Sequence, residues 1–246
     1  MCLLLLLHRV HPRFPVVVAA NRDERYDRPS APPALSADGA VLAPRDLVAG
    51  GTWIGVRRGG LFAGLTNRSR APFDPARPSR GAVCGEALAA AGAREAAERV
   101  AEAIRRRPTN AFNLMVADAR EALVVHSESD RADVRALEPG LHVLTNEHDV
   151  DRYFVREIPA SFATLDAVAR EGDETLLLDT LASIVRDHAV RTPENHAICK
   201  HFEGRGTVSS SLVLVPAPPR ARGRFLFAEG PPCVTPFRDV SEQWPG

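Results

Sequence analysis

The chain has 246 residues, 45% of them hydrophobic and 25% charged, with 31 Lys+Arg against 31 Asp+Glu. Ordinary apolar content at zero net charge excludes a disordered chain, and the lack of clustered positive charge removes a nucleic-acid or anionic-membrane surface. Four scattered cysteines without a C-x-x-C give neither a disulfide framework nor a structural zinc site, so no metal and a reducing, cytoplasmic location are expected; the spacing nearest to a metal motif, Cys199-Lys200-His201, has no second pair.

The run Cys2–His8 is continuously apolar, and a second run, Val16–Ala20, follows a turn around Pro12-Arg13. Such runs predict two strands buried on both faces and paired as a hairpin. The hairpin places Cys2 opposite Arg22, Asp23 or a near neighbour. Leu3–Leu7 is too short for a signal-peptide core of about 7–15 residues. No stretch approaches the roughly 18 apolar residues of a membrane span.

Residues 25–40, rich in Pro and Ser, read as a loop. A second hairpin runs from Gly50-Gly51-Thr52-Trp53-Ile54-Gly55 through a Gly59-Gly60 turn to Leu61–Thr66. Ala/Glu/Arg-rich Cys84–Arg107 predicts a helix, broken near Gly92 and ended by Pro108, with Arg105–Arg107 as its solvated C-terminus. Strands are expected at Phe112–Ala117, Ala122–Ser127, Val134–Leu137 and His142–Thr145. Helices are expected over Tyr153–Arg170, kinked or split at Pro159, and over Glu174–His188. The last strands are Ser209–Val215 and Arg224–Ala228. With no repeat, linker or strand–helix alternation, the pattern is one α+β domain over residues 1–246, with helices covering largely antiparallel sheets.

Position 2 carries the most unusual chemistry. If Met1 is trimmed, the Cys2 thiol sits beside its own α-amine, whose pKa of about 7.7–8.0 suits a general base. Nucleophile and base then share one residue. The plainer reading of Cys2 is a small apolar residue opening a buried strand. The cluster Asn21-Arg22-Asp23-Glu24 ends the next strand, either as a self-satisfied polar cap or as the group that supports that thiol: an Arg there favours the thiolate, and a carboxylate holds the amine or orients the Arg. Strand alternation puts Asn21 and Asp23 on one face, Arg22 and Glu24 on the other.

Asn67 and Asn146 each follow a threonine at a strand end, where an Asn side chain serves as a turn residue or as a donor to a developing oxyanion. The glycines around Thr52-Trp53 match no nucleotide-binding fingerprint and suit a tight turn that brings backbone close to a ligand, with Trp53 as pocket wall or core.

Met1-Cys2, Asn21-Arg22-Asp23-Glu24 with Arg28-Pro29, Arg45-Asp46 with Gly50–Gly55, and Thr66-Asn67 together resemble the N-terminal signature of the NRDE family, the transport-and-Golgi-organisation proteins. Leu144-Thr145-Asn146 and Gly206-Thr207 before Ser209-Ser210 resemble its later motifs, extending the similarity to about residue 215. The resemblance implies a four-layer αββα N-terminal-nucleophile fold, shared with cysteine amidohydrolases such as the bile-salt and penicillin V acylases. It implies Cys2 as nucleophile, Arg22 and Asp23 as its supports, and Asn146 and Asn67 as oxyanion donors; the candidate substrate contacts beside them are Asn21, Glu24, Thr52 and Trp53. Val208 departs from the pattern, in which an Arg follows the late Gly-Thr. Two functions are compatible with the family: hydrolysis of a small-molecule amide without any required cofactor, or carriage of haem or an acyl-lipid ligand, as associated with eukaryotic relatives.

Overall fold

The computed structural model describes residues 2–147, 149–152, 160–189, 197–217 and 222–246. In chain order they form β1 (Leu3–His8), β2 (Val16–Arg25), β3 (Ser30–Leu35), β4 (Val41–Asp46), β5 (Ile54–Arg57), β6 (Leu61–Asn67), α1 (Gly81–Leu88), α2 (Ala93–Arg106), β7 (Phe112–Ala117), β8 (Ala122–Ser127), β9 (Ala132–Leu137), β10 (Gly140–Thr145), α3 (Ala160–Glu171), α4 (Glu174–Val185), β11 (His201–Phe202), β12 (Arg205–Val215), β13 (Arg224–Ala228) and β14 (Arg238–Asp239). Two antiparallel sheets result. One runs β10-β1-β2-β12-β13-β14 with β11 beside β12; the other is the meander β3 to β9.

The apolar runs explain the layering, because successive strand residues face opposite sides. Leu4, Leu6, Val16, Val18 and Ala20 enter a core shared with Phe62, Met115 and Val124 of the second sheet. Their alternates Leu3, Leu5, Leu7, Val17 and Ala19 enter a core with Phe162, Leu165, Leu177 and Leu181 of α3 and α4. On the far side, Leu114, Val116, Leu123 and Val125 pack against Val83, Leu88, Val100 and Ile104 of α1 and α2. The order is helices, sheet, sheet, helices: an αββα sandwich in which the inner strands have no solvent face, which is why they read as unbroken apolar runs.

The helices follow from local signals. The buried face of α2 is Ala93, Ala96, Ala97, Val100, Ala101 and Ile104, the 3.6-residue stripe of an amphipathic helix. Its first turn is capped from outside, the Asp118 carboxylate accepting from Ala93 N at 2.9 Å. Asp173 caps α4 by accepting from Leu176 N at 3.0 Å. The expected helix start over 153–159 lies outside the described residues. Among the described residues no helix is long and apolar enough to cross a membrane.

Two expectations are corrected, and one strand is added. Residues 25–40 are not all loop: β2 continues to Arg25 and β3 occupies Ser30–Leu35. This strand stays cryptic in the sequence because its Pro32-Pro33 falls at a register shift on a sheet edge, where prolines cost no ladder bond. Strand β4, between β3 and β5, is hidden by Pro44, which lies opposite that register shift and beyond the part of β4 that pairs with β5. Strand β12 starts four residues before Ser209, carrying a register shift between Thr207 and Ser209.

Candidate active site

Strand β1 lies between β10 and β2, with Leu3 facing Thr145 on one side and Asn21 on the other. One residue further along the same registers, Cys2 sits between Asn146 and Arg22. The hairpin estimate is therefore met to within a residue. Its thiol meets the next residue of β2: Asp23 N donates to Cys2 Sγ at 3.4 Å, and the thiol faces the Asp23 carbonyl at 3.6 Å. Burial, then the Asp23 carboxylate, push the Cys2 thiol above its usual value, against the Asp23 N–H and the Lys200 ammonium.

The faces of β2 alternate as expected. Arg22 turns toward the second sheet, where Nη2 donates to Asp46 Oδ2 at 2.9 Å and the guanidinium lies 4.2 Å from the Trp53 ring. Asp46 also accepts from Arg28 Nε at 2.7 Å and from the Val48 and Ala49 amides. Burial alone would raise the Asp46 carboxyl, but Arg28 and those amides hold it below its ordinary value. Arg22 Nη1 is buried with no hydrogen-bond partner among the described residues. Among the described residues no hydrogen bond joins the thiol to this guanidinium, although the two attract electrostatically. The sequence argument expects Arg to favour the thiolate; the hydrogen bond of the guanidinium goes to the carboxylate at the end of β4, a strand the sequence conceals.

On the other face Asn21 Nδ2 donates to the carbonyls of Val185 and Ile198 at 2.9 and 3.1 Å. Its amide holds the end of α4 and the segment before β11. The Asp23 carboxylate accepts from Lys200 Nζ at 3.1 Å and Thr207 Oγ1 at 2.7 Å. Lys200 and Thr207 are the site residues that sequence reasoning misses. Lys200 is the chain's only lysine and the sole cation in a stretch otherwise read for metal spacing, a cue that composition alone could have supplied. Val208 follows Thr207 at the register shift of β12.

The two Thr-Asn strand ends meet across the sheets. Thr66 Oγ1 donates to the Thr145 carbonyl at 3.2 Å, Asn113 Nδ2 donates to the same carbonyl at 3.1 Å, and Ser69 N reaches the Asn146 carbonyl at 2.7 Å. Asn67 and Asn146 are consequently brought to one end of the sandwich. Asn146 Oδ1 is buried without a partner among the described residues.

Between the sheets at this end opens a cleft lined by Cys2, Ala20, Arg22, Trp53, Leu65 and Asn67 among others. A second lobe shares Arg22, Glu24, Trp53 and Asn67 and adds Thr52, Arg28 and Arg80. An apolar wall with a few converging polar groups suits an orientation-specific small ligand. Trp53 is therefore a cleft wall. It is held by the glycine turn before it: a Cβ on Gly51 would lie 2.4 Å from Gly81 C at the start of α1, and Thr52 N donates to the Gly81 carbonyl at 3.3 Å. Asn146 borders an adjoining groove, with Ser69 and Lys200, that shares Asp23 with the cleft.

Comparison with known proteins agrees with this architecture. The family model described as Transport and Golgi organisation 2 matches residues 1–225. No curated protein matches the chain in sequence. Among solved structures the chain is similar to penicillin V acylase from Agrobacterium tumefaciens (15% identity, TM-score 0.60, 93% of this chain and 83% of that one). It is also similar to the Caenorhabditis elegans ortholog of N-acylethanolamine-hydrolyzing acid amidase (14%, 0.54, 89% and 94%). A third is the C2A mutant of conjugated bile acid hydrolase from Clostridium perfringens (13%, 0.52, 98% and 93%). At these identities the likeness shows the fold, that of the N-terminal-nucleophile hydrolases.

Proposed function

The chain belongs to the Transport and Golgi organisation 2 family, and on that premise we propose that it hydrolyses a C–N bond of a small-molecule amide through Cys2. The observation that carries this reading is the placement of Cys2 in the lining of the cleft, between the strand of Arg22 and the strand that leads to Asn146. The thiol is held up in pKa, so a mechanism that starts from a preformed thiolate does not suit it. A base that takes the proton during attack does, and after removal of Met1 the Cys2 α-amine is that base.

In the proposed reaction Cys2 Sγ attacks the amide carbonyl carbon while its proton passes to the α-amine. The carbonyl oxygen, now negative, accepts hydrogen bonds from Asn67 and Asn146. The C–N bond breaks as the ammonium returns the proton to the leaving nitrogen, giving a thioester and a free amine. Water then attacks the thioester by the same proton relay and releases the acid and the thiol. Asp23, fixed by Lys200 and Thr207, holds the sulfur through its backbone, and Arg22, fixed by Asp46, shapes the cleft against Trp53. Every group this chemistry uses belongs to the chain.

The test begins with the intact mass of the purified protein, followed by incubation with penicillin V, an N-acylethanolamine and a conjugated bile acid. Loss of Met1, with amine release from one of these that Cys2→Ala abolishes, is the expected result. Retained Met1, or equal turnover by Cys2→Ala, overturns the reading. A Soret shift on haem titration that is lost in Cys2→Ala, without amide turnover, replaces it with a haem- or acyl-carrying role for the same cleft.

A further inference from the structure

On the outer side of the sheet that carries Cys2, three separate segments converge: the end of α4 with His188, the 199–201 segment with Cys199 and His201, and the 231–235 turn with Cys233. One ligand atom from each of these four side chains lies within 4.8 Å of every other. Cys199 Sγ is 3.6 Å from Cys233 Sγ and 3.8 Å from His201 Nε2, and His201 Nε2 is 3.3 Å from Cys233 Sγ. The His188 and His201 rings stack with centroids 5.2 Å apart. Tetrahedral bonds of about 2.3 Å to sulfur and 2.0–2.1 Å to nitrogen require S···S edges of about 3.8 Å and S···N edges of about 3.6 Å. The observed separations are of that size.

We propose that His188, Cys199, His201 and Cys233 bind one Zn²⁺ in a closed, structural Cys₂His₂ site. Two thiolates neutralise the ion, and two imidazoles complete a tetrahedral set that favours zinc among divalent metals. The site is built before the metal arrives. Arg186 Nε donates to the Pro232 carbonyl at 2.9 Å, tying the Cys233 turn to the end of α4. Cys199 N donates to the Asp187 carbonyl at 2.8 Å, and Thr235 N to the Pro231 carbonyl at 2.9 Å. Cys199 is buried while both histidines are exposed, which gives the ion a route in from solvent. The sequence alone shows only Cys199-Lys200-His201, because His188 and Cys233 come from other elements. The residue between the two adjacent ligands is Lys200, so the metal would clamp the backbone that delivers this ammonium to Asp23. A Cys199–Cys233 disulfide is the competing chemistry, and it needs the sulfurs to close to about 2.05 Å.

The test uses full-length untagged protein, purified under reducing conditions, dialysed with ZnCl₂ and freed of unbound metal, then analysed by inductively coupled plasma mass spectrometry. One zinc per chain is expected. Co²⁺ in its place should give thiolate-to-cobalt charge transfer and the strong visible bands of a tetrahedral centre. His201→Ala and Cys233→Ser should each weaken metal retention at least about tenfold; the exposed His201 keeps the first readout independent of folding. Substoichiometric zinc in the reduced wild type, retention unchanged in both variants, or an octahedral cobalt spectrum overturns the proposal. So does a Cys199–Cys233 disulfide mapped in protein kept under reductant.

Discussion

The Lys200 ammonium lies 3.1 Å from the Asp23 carboxylate, with only 2% and 4% of the two side chains exposed. The same Asp23 touches the Cys2 sulfur through its backbone. Removing one charge of a buried pair leaves the other desolvated, which costs about 3–5 kcal/mol. Lys200→Met is therefore expected to destabilise the fold by that amount in urea titrations. Adding Asp23→Asn should return about 1–3 kcal/mol of it, the coupling expected of contacting groups. Strictly additive single and double variants would show that the two side chains do not act as a pair.

The second pair, Arg22 with Asp46, carries a pH signature. The folded Asp46 carboxyl is held below its ordinary value. Its contribution is therefore fully present above the unfolded value of about 4 and is lost as pH falls through the lower folded value. Asp46→Asn should cost about 3 kcal/mol at pH 7, leaving Arg22 buried beside Trp53 without its carboxylate. The gap between variant and wild type should narrow on acidification below pH 4. A gap independent of pH across that range would refute the ionic account.

Much of this layout is legible from residues. The unbroken run Leu3–Leu7 announces a strand covered on both faces, and the hairpin spacing alone brings Cys2 to the Arg22-Asp23 dipeptide. The strand period also separates Arg22 from Asp23, which the structure confirms by sending one to Asp46 and the other to Lys200. What stays hidden is partner choice across long sequence separation. Asp46 ends a strand disguised by Pro44, and Lys200 lies 177 residues from Asp23, so no local pattern joins them. The convergence of His188 and Cys233 on Cys199 is invisible for the same reason.

The turn that holds Trp53 has no room for a side chain. A Cβ at Gly51 would meet backbone atoms of Gly81 at 2.4–2.6 Å, and backbone cannot rotate away as a side-chain end can. Gly51→Ala is expected to cost about 1–3 kcal/mol, the range of overpacking, and to displace Trp53 from the Arg22 guanidinium. Trp fluorescence and thermal melting measure both effects. A variant as stable as wild type with unchanged emission would show that the Gly51–Gly81 approach is not tight in solution.

Burial and the Asp23 carboxylate raise the Cys2 thiol above its reference value of 9.0. The thiolate is the reactive form. Alkylation of Cys2 by iodoacetamide, followed by peptide mapping, should be slower than that of a free thiol at pH 7 and should climb through pH 9 without a plateau. Cys84, pushed up to about 12 by burial alone, should remain unlabelled and serve as the internal control. A plateau below pH 8 would mean a thiolate stabilised by groups not acting in this geometry.

Asn67 borders the cleft beside Cys2, and the proposed oxyanion role separates two reactions of the same sulfur. Acylation of Cys2 by p-nitrophenyl acetate passes through a tetrahedral oxyanion; alkylation by iodoacetamide does not. Loss of one oxyanion donor costs about 10²–10³ in rate. Asn67→Ala should therefore slow the nitrophenolate burst about a hundredfold while leaving the alkylation rate within about twofold of wild type. Slowing of both reactions in parallel would assign Asn67 to the shape of the cleft or to access, and an unaltered burst would leave Asn146 as the donor that matters. Because Thr66 and Asn113 fix the Thr145 carbonyl from the opposite sheet, Asn113→Ala distinguishes direct from indirect effects. It should lower the burst through the position of Asn146 without touching the cleft face that Asn67 occupies.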